Sequence, residues 1–279
     1  MNKFFLNLGR QPLANNFTSY YKKNQPRYNL KLFFNTKTKL VSISKRIPSK
    51  KMFNNKYPYR SSMSITMQNS FKKLSTLIKK KFKPKLLLEI GSNDGALLKN
   101  FNRSNVIGIE PCKNLANITI KKGYKIFPKY WDTKLARHIT KKNKIDLIYS
   151  ANTLSHIKNY SEIFKAVNAS LNLNGILVLE DPSLLECIKK IAYDQFYCEH
   201  IYVFSAISLQ KVLNKFGLEI FDIENLKTHG GSNRYYIKRK INKTIQISRN
   251  VKKNIKKEIN FGLHKLSTYK KFSKKVSES

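Results

Sequence analysis

The chain has 279 residues, 41% of them apolar, and a formal net charge of +39. That apolar share supports a real core and excludes wholesale disorder. No run approaches the ~18 apolar residues that a membrane-spanning helix needs, and MNKFFLNLGRQPLANN has too short an apolar stretch for a secretory signal. The expectation is a soluble, cytoplasmic protein with one large domain, or one medium domain with appendages.

The charge invites a nucleic-acid reading. However, only nine of the 55 basic residues are arginine, and the lysines are spread along the chain among abundant Asn and Ile. That distribution resembles a compositional bias more than a binding stripe, so nucleic acid is possible but not the favoured partner. Cys112, Cys187 and Cys198 are widely spaced and form no CxxC pair. A reduced compartment fits, and no metal site is expected.

In chain order, LGRQPLANNF reads as a turn-rich segment with a tight bend at Gly9. Leu30–Phe34 and Leu40–Ile43 read as two short strands around NTKTK. Tyr57-Pro58-Tyr59-Arg60-Ser61-Ser62 interleaves aromatics with hydroxyl residues, as either a ligand-facing loop or a partly buried turn. Residues 65–82 form a Lys-rich helix, and Pro84 ends it.

The stretch Leu86–Leu98, LLLEIGSNDGALL, then reads as strand, tight turn and the start of a helix over Ala96–Asn102. Gly91 and Gly95 let the backbone approach a ligand closely, and free N–H groups at a helix start favour electronegative atoms. Glu89 at the strand end suits a ligand carrying positive charge, such as the amino group and sulfonium of S-adenosylmethionine. Val106–Glu110 is a second apolar strand ending in an acid. Glu110 follows the turn at about the 20-residue offset from which a carboxylate can grip ribose hydroxyls.

Helices over 112–122, 132–141 and 160–171 alternate with strands at Lys125–Phe127, Ile145–Ala151 and, after a turn at Asn172–Gly175, Ile176–Glu180. This alternation predicts an α/β fold with a doubly wound, mainly parallel sheet. Glu89, Glu110, Asn152 and Glu180 then all fall at C-terminal strand ends, where such sheets bind ligands. Beyond a helix over 183–194, Tyr193–His200 is dense in proton-handling side chains. If that stretch is helical, Tyr197 and His200 share a face and Glu199 points elsewhere. Ser205 and Gly217 read as caps of a helix over 206–216, followed by a strand at Leu218–Ile223. THGGSNR reads as a loop for a phosphate with Arg234 as anion clamp, before a strand at Tyr235–Ile237. Residues 245–279 read as a Lys-rich helical tail without a core of its own.

Glu89-Ile90-Gly91-Ser92-Asn93-Asp94-Gly95 resembles the first motif of class I S-adenosylmethionine-dependent methyltransferases, which have a Rossmann-like fold. LGRQPLANNF, YPYRSSMS, LEIGSNDGALL, IGIEP, ANTLSHI, YDQFYCEHIYVFS and THGGSNRYY together resemble, in order and spacing, the C-methyltransferases of deoxysugar biosynthesis. The resemblance implies methyl transfer from S-adenosylmethionine to a ring carbon of a nucleotide-linked 4-keto sugar. It implies His200 as base, with Tyr59, Tyr197, Glu199 and His156 in the catalytic set. It further implies Glu89, Gly91, Ser92, Asn93, Asp94, Gly95, Glu110, Pro111 and Asn152 around the cofactor, and Tyr57, His229, Gly230, Gly231, Ser232 and Arg234 toward the substrate. His138 and His264 lie outside these motifs and read as ordinary structural or surface residues.

Two departures qualify this resemblance. The family usually opens with a four-cysteine zinc domain. Here the first cysteine pair is absent and Asn35 and Thr38 stand in for the second, so no metal is expected. The family also continues into a second lobe, near whose start this chain stops. The expected division is 1–70 as a small N-terminal region resembling a degenerate zinc-binding domain, 71–223 as the cofactor-binding domain, and 224–279 as the start of a truncated lobe with its tail. The alternatives are a methyltransferase acting on another small-molecule oxygen or nitrogen, and a non-catalytic basic binding protein that kept the fold.

Overall fold

A computed structural model describes residues 1–20, 24–43 and 47–279. The strands are β1 (Asn2–Gln11), β2 (Tyr28–Asn35), β3 (Val41–Ile43), β4 (Leu87–Ile90), β5 (Val106–Ile109), β6 (Lys125–Phe127), β7 (Ile145–Ala151), β8 (Leu171–Pro182), β9 (Tyr202–Val203), β10 (Leu218–Leu226) and β11 (Ser232–Arg239). The helices are α1 (Ser49–Met52), α2 (Ile65–Lys81), α3 (Lys113–Ile120), α4 (Thr133–Ile139), α5 (Tyr160–Ser170), α6 (Leu184–Lys189), α7 (Ala206–Leu213), α8 (Arg249–Phe261) and α9 (Leu266–Ser277). They form two compact units. One comprises Met1–Ser49, Asn152–Lys158 and Leu179–Ser279, and the other Lys50–Ala151 and Asn159–Val178. Among the described residues no helix is long and apolar enough to cross a membrane.

The unit built on Lys50–Ala151 carries strands in the order β8-β7-β4-β5-β6. Its pairings β4–β5, β4–β7 and β5–β6 are parallel, with Leu87 opposite both Val106 and Leu147. Every residue of β4 and β5 is buried, as expected of apolar strands covered on both faces. Helices start where side chains supply the missing acceptors: Ser64 caps α2, Asp132 caps α4 and Asn159 caps α5. The α-helix expected over Ala96–Asn102 is not formed, and only Leu98–Asn100 makes a 3₁₀ turn. Asn100 there donates its side-chain amide to the carbonyls of Ala96 and Leu97, acceptors that a continuing helix would use. The turn expected at Asn172–Gly175 is also absent, because β8 already begins at Leu171. Gly175 lies so close to β7 that a Cβ would come within 2.8 Å of the Ile145 carbonyl.

In the other unit β1-β2-β3-β9 form an antiparallel sheet. The hairpin β10–β11 neighbours β8, whose end Leu179–Pro182 belongs to this unit. The sequence concealed β1: a register shift between Phe4 and Leu6 leaves Phe5 and Leu6 both buried, which breaks strict alternation. Asn35, which stands where the resembled family has a cysteine, accepts the N–H groups of Lys37 and Thr38 and closes that turn by hydrogen bonds. The helix expected over 183–194 stops at Lys189, and Ile191 lies in the left-handed region at φ 56°. Ser205 and Ser208 form a reciprocal cap at α7, and Gly217 is left-handed at φ 67°.

The expectation of a coreless tail is overturned. Tyr269 of α9 is fully buried, with ring centroids 4.6 Å from Phe34 and 5.1 Å from Phe5. Phe272 meets Phe196 at 5.9 Å. Glu258 of α8 accepts the free N–H groups of Ala206 and Ile207 at 2.7 and 2.9 Å, capping α7 from outside. The lysines of α8 and α9 disguise a three-to-four-residue apolar spacing that does have a core to meet.

Candidate active site

At the end of β4 the chain turns through Gly91 (φ 76°), Asn93 (φ 50°) and Gly95 (φ 77°). Gly91 and Ser92 donate their N–H groups to the Ile109 carbonyl, Asn93 donates to Glu110, Asp94 to the Asn93 side chain, and Gly95 to the Ser92 carbonyl. All five N–H groups are thus used internally. The expected amide cradle at a helix start is corrected on both counts: no α-helix starts here, and the amides are bound within the turn. A Cβ on Gly95 would lie 2.7 Å from the Thr119 methyl, so glycine is required there by space as well as by φ.

What the turn presents is acid. Glu89 is buried, and its Oε2 has no hydrogen-bond partner among the described residues. Burial first, then Glu110 and Asp94, raise its carboxyl well above the usual range. Glu110 is likewise raised by burial, against the pull of the Cys112 and Asn93 N–H groups on its two oxygens at 2.8 and 2.9 Å. Pro111 lies between Glu110 and Cys112. The buried Ser92 hydroxyl also has no partner among the described residues. A ligand that brings positive charge and hydrogen-bonding hydroxyls would satisfy this set.

The Tyr57–Ser62 stretch is tied to the turn through its backbone. Tyr59 O accepts from Asn93 Nδ2 at 3.1 Å, and the Ser61 and Ser62 N–H groups bind Asn93 and Asp94. The Ser62 hydroxyl donates to the Asp94 carboxylate, and Tyr57 O accepts from Asn114. The Tyr59 ring is 42% exposed, so it is a loop side chain rather than part of a buried turn.

The second cluster lies in the unit that holds the N-terminal sheet. The Tyr197–His200 segment is an irregular turn rather than a helix, but its i, i+3 pair does meet. His200 Nδ1 lies 2.8 Å from the Gln195 carbonyl, an acceptor only, so that nitrogen carries the proton. Nε2 is left as acceptor, 3.1 Å from the Tyr197 hydroxyl. Burial, with a smaller push from His229, lowers His200 to about 4. Removal of the ring from water disfavours its protonated form. The His156 ring stands edge-on to His200 at 4.9 Å, and burial and then His200 lower it well below the ordinary value. Glu199 turns the other way, toward Asn15 at 2.9 and 3.0 Å and His156 Nδ1 at 3.8 Å.

Asp181 was missed. It lines a crevice with Ser155, His200 and Tyr202. Burial raises it to about 7 against hydrogen bonds from Ser155. Its signal was the strand end: β8 runs to Pro182, beyond the expected stop at Glu180. Asn15 was missed as well, and only its place in LGRQPLANNF marks it.

Asn152, left-handed at φ 47°, donates its N–H to Glu180 O at 2.7 Å, and its amide lies 3.3 Å from His229 Nε2. His229 is also left-handed and is lowered by burial. Gly231 packs against Glu186, and the Ser232 hydroxyl is bonded to Thr228 O. The Gly230 carbonyl accepts from Lys190. Arg234 corrects the anion-clamp expectation. It belongs to β11 and is buried, with its guanidinium held by Glu180 at 3.0 Å and Glu224 at 2.8 Å.

Residues 60–223, more than half of the chain, match the profile of the family described as Methyltransferase domain, and the chain belongs to that family of S-adenosylmethionine-dependent enzymes. Within it the chain resembles the C-methyltransferases: residues 227–279 match a C-methyltransferase C-terminal domain. C-methyltransferase NovU from Streptomyces niveus is 31% identical over 150 residues, 53% of this chain and 36% of that protein. The chain therefore spans about a third of that relative's length. Among solved structures, the PH0226 protein of Pyrococcus horikoshii OT3 shares the fold at 13% identity, with TM-score 0.50 over 65% of this chain and 94% of that one. Magnesium protoporphyrin IX methyltransferase of Synechocystis PCC 6803, solved with SAH, matches at 15% identity and TM-score 0.47 over 63% and 88%.

Proposed function

We propose that the protein methylates a carbon adjacent to the ketone of a nucleotide-linked 4-keto sugar. The observation that carries the reading is the neutral His200 ring. Its Nδ1 proton is fixed on Gln195 O, and its Nε2 lone pair is held beside the Tyr197 hydroxyl. Carbon methylation needs a base of this kind, whereas oxygen or nitrogen acceptors already carry their nucleophilic lone pair. The match of the C-terminal segment and the similarity to NovU support carbon as the acceptor atom, and the YCEH and THGGS motifs support the sugar.

S-adenosylmethionine, when bound, supplies an electrophilic methyl group. Glu89 and Asp94 would face its positive charge, and Glu110 its ribose hydroxyls, with Gly91, Ser92, Asn93, Gly95 and Pro111 shaping the turn. His200 Nε2 would take the proton next to the ketone while the Tyr197 phenol hydrogen-bonds the developing oxyanion, and the family resemblance adds Tyr59 to the catalytic set. A base lowered to about 4 is unprotonated at neutral pH, so no proton has to be lost before it acts. Its weakness puts the burden on oxyanion stabilisation. His156 and Glu199 would pass the proton onward. Asn152, Tyr57 and the His229–Ser232 loop are assigned to ligand contacts, with Arg234 holding the carboxylates behind that loop.

The test is incubation with S-adenosylmethionine and a thymidine-diphosphate 4-keto-hexose in deuterated water. The expected result is deuterium exchange beside the ketone and a carbon-bound methyl. His200→Ala should lower both by about 10²- to 10⁴-fold. Methylation without exchange would replace this reading with an oxygen or nitrogen acceptor.

A further inference from the structure

The turn Pro12–Asn16 grips the loop that carries Glu199 and His200 at two independent points. Asn15 Nδ2 reaches both oxygens of the Glu199 carboxylate, at 2.9 and 3.0 Å. One residue earlier in the loop, the Cys198 thiol donates to the Pro12 carbonyl at 3.7 Å. Glu199 is 1% exposed, and His156, whose Nδ1 lies 3.8 Å from it, is kept neutral by burial. A buried carboxylate needs hydrogen-bond donors to hold it in place. The Asn15 amide supplies donation without adding a charge beside the histidines.

We propose that Asn15 is a positioning residue of the proton-handling cluster, holding the Glu199 carboxylate so that it faces His156. The inference deepens the function proposed above and rests on it for its catalytic meaning. Its geometric part is independent of any substrate. Other titratable groups meet this set: the Cys198 thiol, raised by burial, stands beside Glu199, and the His200 ring faces His156. His229 acts on His200 in turn. They stay in place in both variants below.

The experiment uses the full chain with Asn15→Leu, which removes the donor at similar volume, and Asn15→Asp, which keeps the shape and replaces the amide with a second carboxylate. Ring ¹⁵N spectra of His156 and His200 are followed against pH without substrate. Proton exchange on the keto sugar and S-adenosylmethionine affinity by calorimetry are measured alongside. Asn15→Leu takes the Asn15 donor from the carboxylate that faces His156, and Asn15→Asp sets a second carboxylate beside it. The His156 titration midpoint should rise by about one to two pH units in both. Exchange should fall at least about tenfold, with the change in kcat rather than in KM and cofactor affinity retained. Should Asn15→Leu fail to fold, the isosteric Asn15→Asp decides. Histidine titrations identical to wild type in a folded variant overturn the proposal. A shifted His156 midpoint in a protein that shows no exchange even as wild type keeps the positioning contact and removes the keto-sugar reading instead.

Discussion

Lowering the pH tests whether His200 is held neutral by burial. Its ring is pushed from the ordinary 6.5 down to about 4. In the unfolded chain the ring takes up a proton near 6.5, so between these two values acid favours unfolding. The folded state's advantage is complete above 6.5 and is lost as pH falls toward 4. The gap corresponds to about 3 kcal/mol below pH 4, and to about 2 kcal/mol at pH 5 relative to pH 7. His200→Gln removes this titration while keeping an amide that can donate to Gln195 O and accept from Tyr197. Urea unfolding at pH 7 and pH 5 on both proteins measures the effect. The variant should lose about 2 kcal/mol less than wild type between the two pH values, or about 4–8 °C in thermal midpoint. His156 is lowered in the same direction but remains in both proteins, so it largely cancels. Equal losses in the two proteins would refute the reasoning, because they would mean that the ring titrates as it does in water.

Two further outcomes follow from the packing and the acids of the turn. Tyr269→Ala removes a fully buried ring that also donates its hydroxyl to Leu263 O at 2.7 Å. It should cost about 3–5 kcal/mol and open the segment after Gly262 to proteolysis, as read by denaturation and limited digestion. Glu89→Gln replaces a carboxyl that burial and two neighbouring acids hold well above its usual range. The folded carboxyl binds its proton more tightly than the unfolded one, so its ionisation destabilises the fold as pH rises. The variant should therefore melt higher than wild type at pH 8 without ligand, yet bind S-adenosylmethionine about 10- to 100-fold more weakly by calorimetry.

The parallel sheet was legible because its strands are short, largely apolar runs that alternate with helical stretches. Leu87–Ile90, Val106–Ile109 and Ile145–Ala151 fall within a residue or so of where alternation puts them. What the sequence concealed depends on register and on side chains reaching backbone. The bulged β1 breaks alternation at Phe5 and Leu6. Asn100 halts the helix after the turn by binding the carbonyls behind it. The docked face of α8 and α9 lies under a high density of lysine. None of these leaves a periodic signature, because each is decided by what one side chain finds after folding.

The same distinction reorders the cofactor turn itself. Glycines and a strand-end acid suggested two attractions, exposed amides and a carboxylate. Folding spends the amides on Ile109, Glu110, Asn93 and Ser92, and leaves Glu89 Oε2 buried without a donor. An anionic ligand such as a phosphate would find no free N–H on Gly91–Gly95 and three carboxyl groups nearby, so the turn selects against it. A cationic ligand meets the opposite situation, since its charge favours the ionised carboxylates that burial first, and neighbouring acids second, disfavour at Glu89 and Glu110. Discrimination at this turn therefore comes from the buried acids Glu89 and Glu110 rather than from the glycine pattern. The glycines, through Gly95 against Thr119, only make the close packing possible.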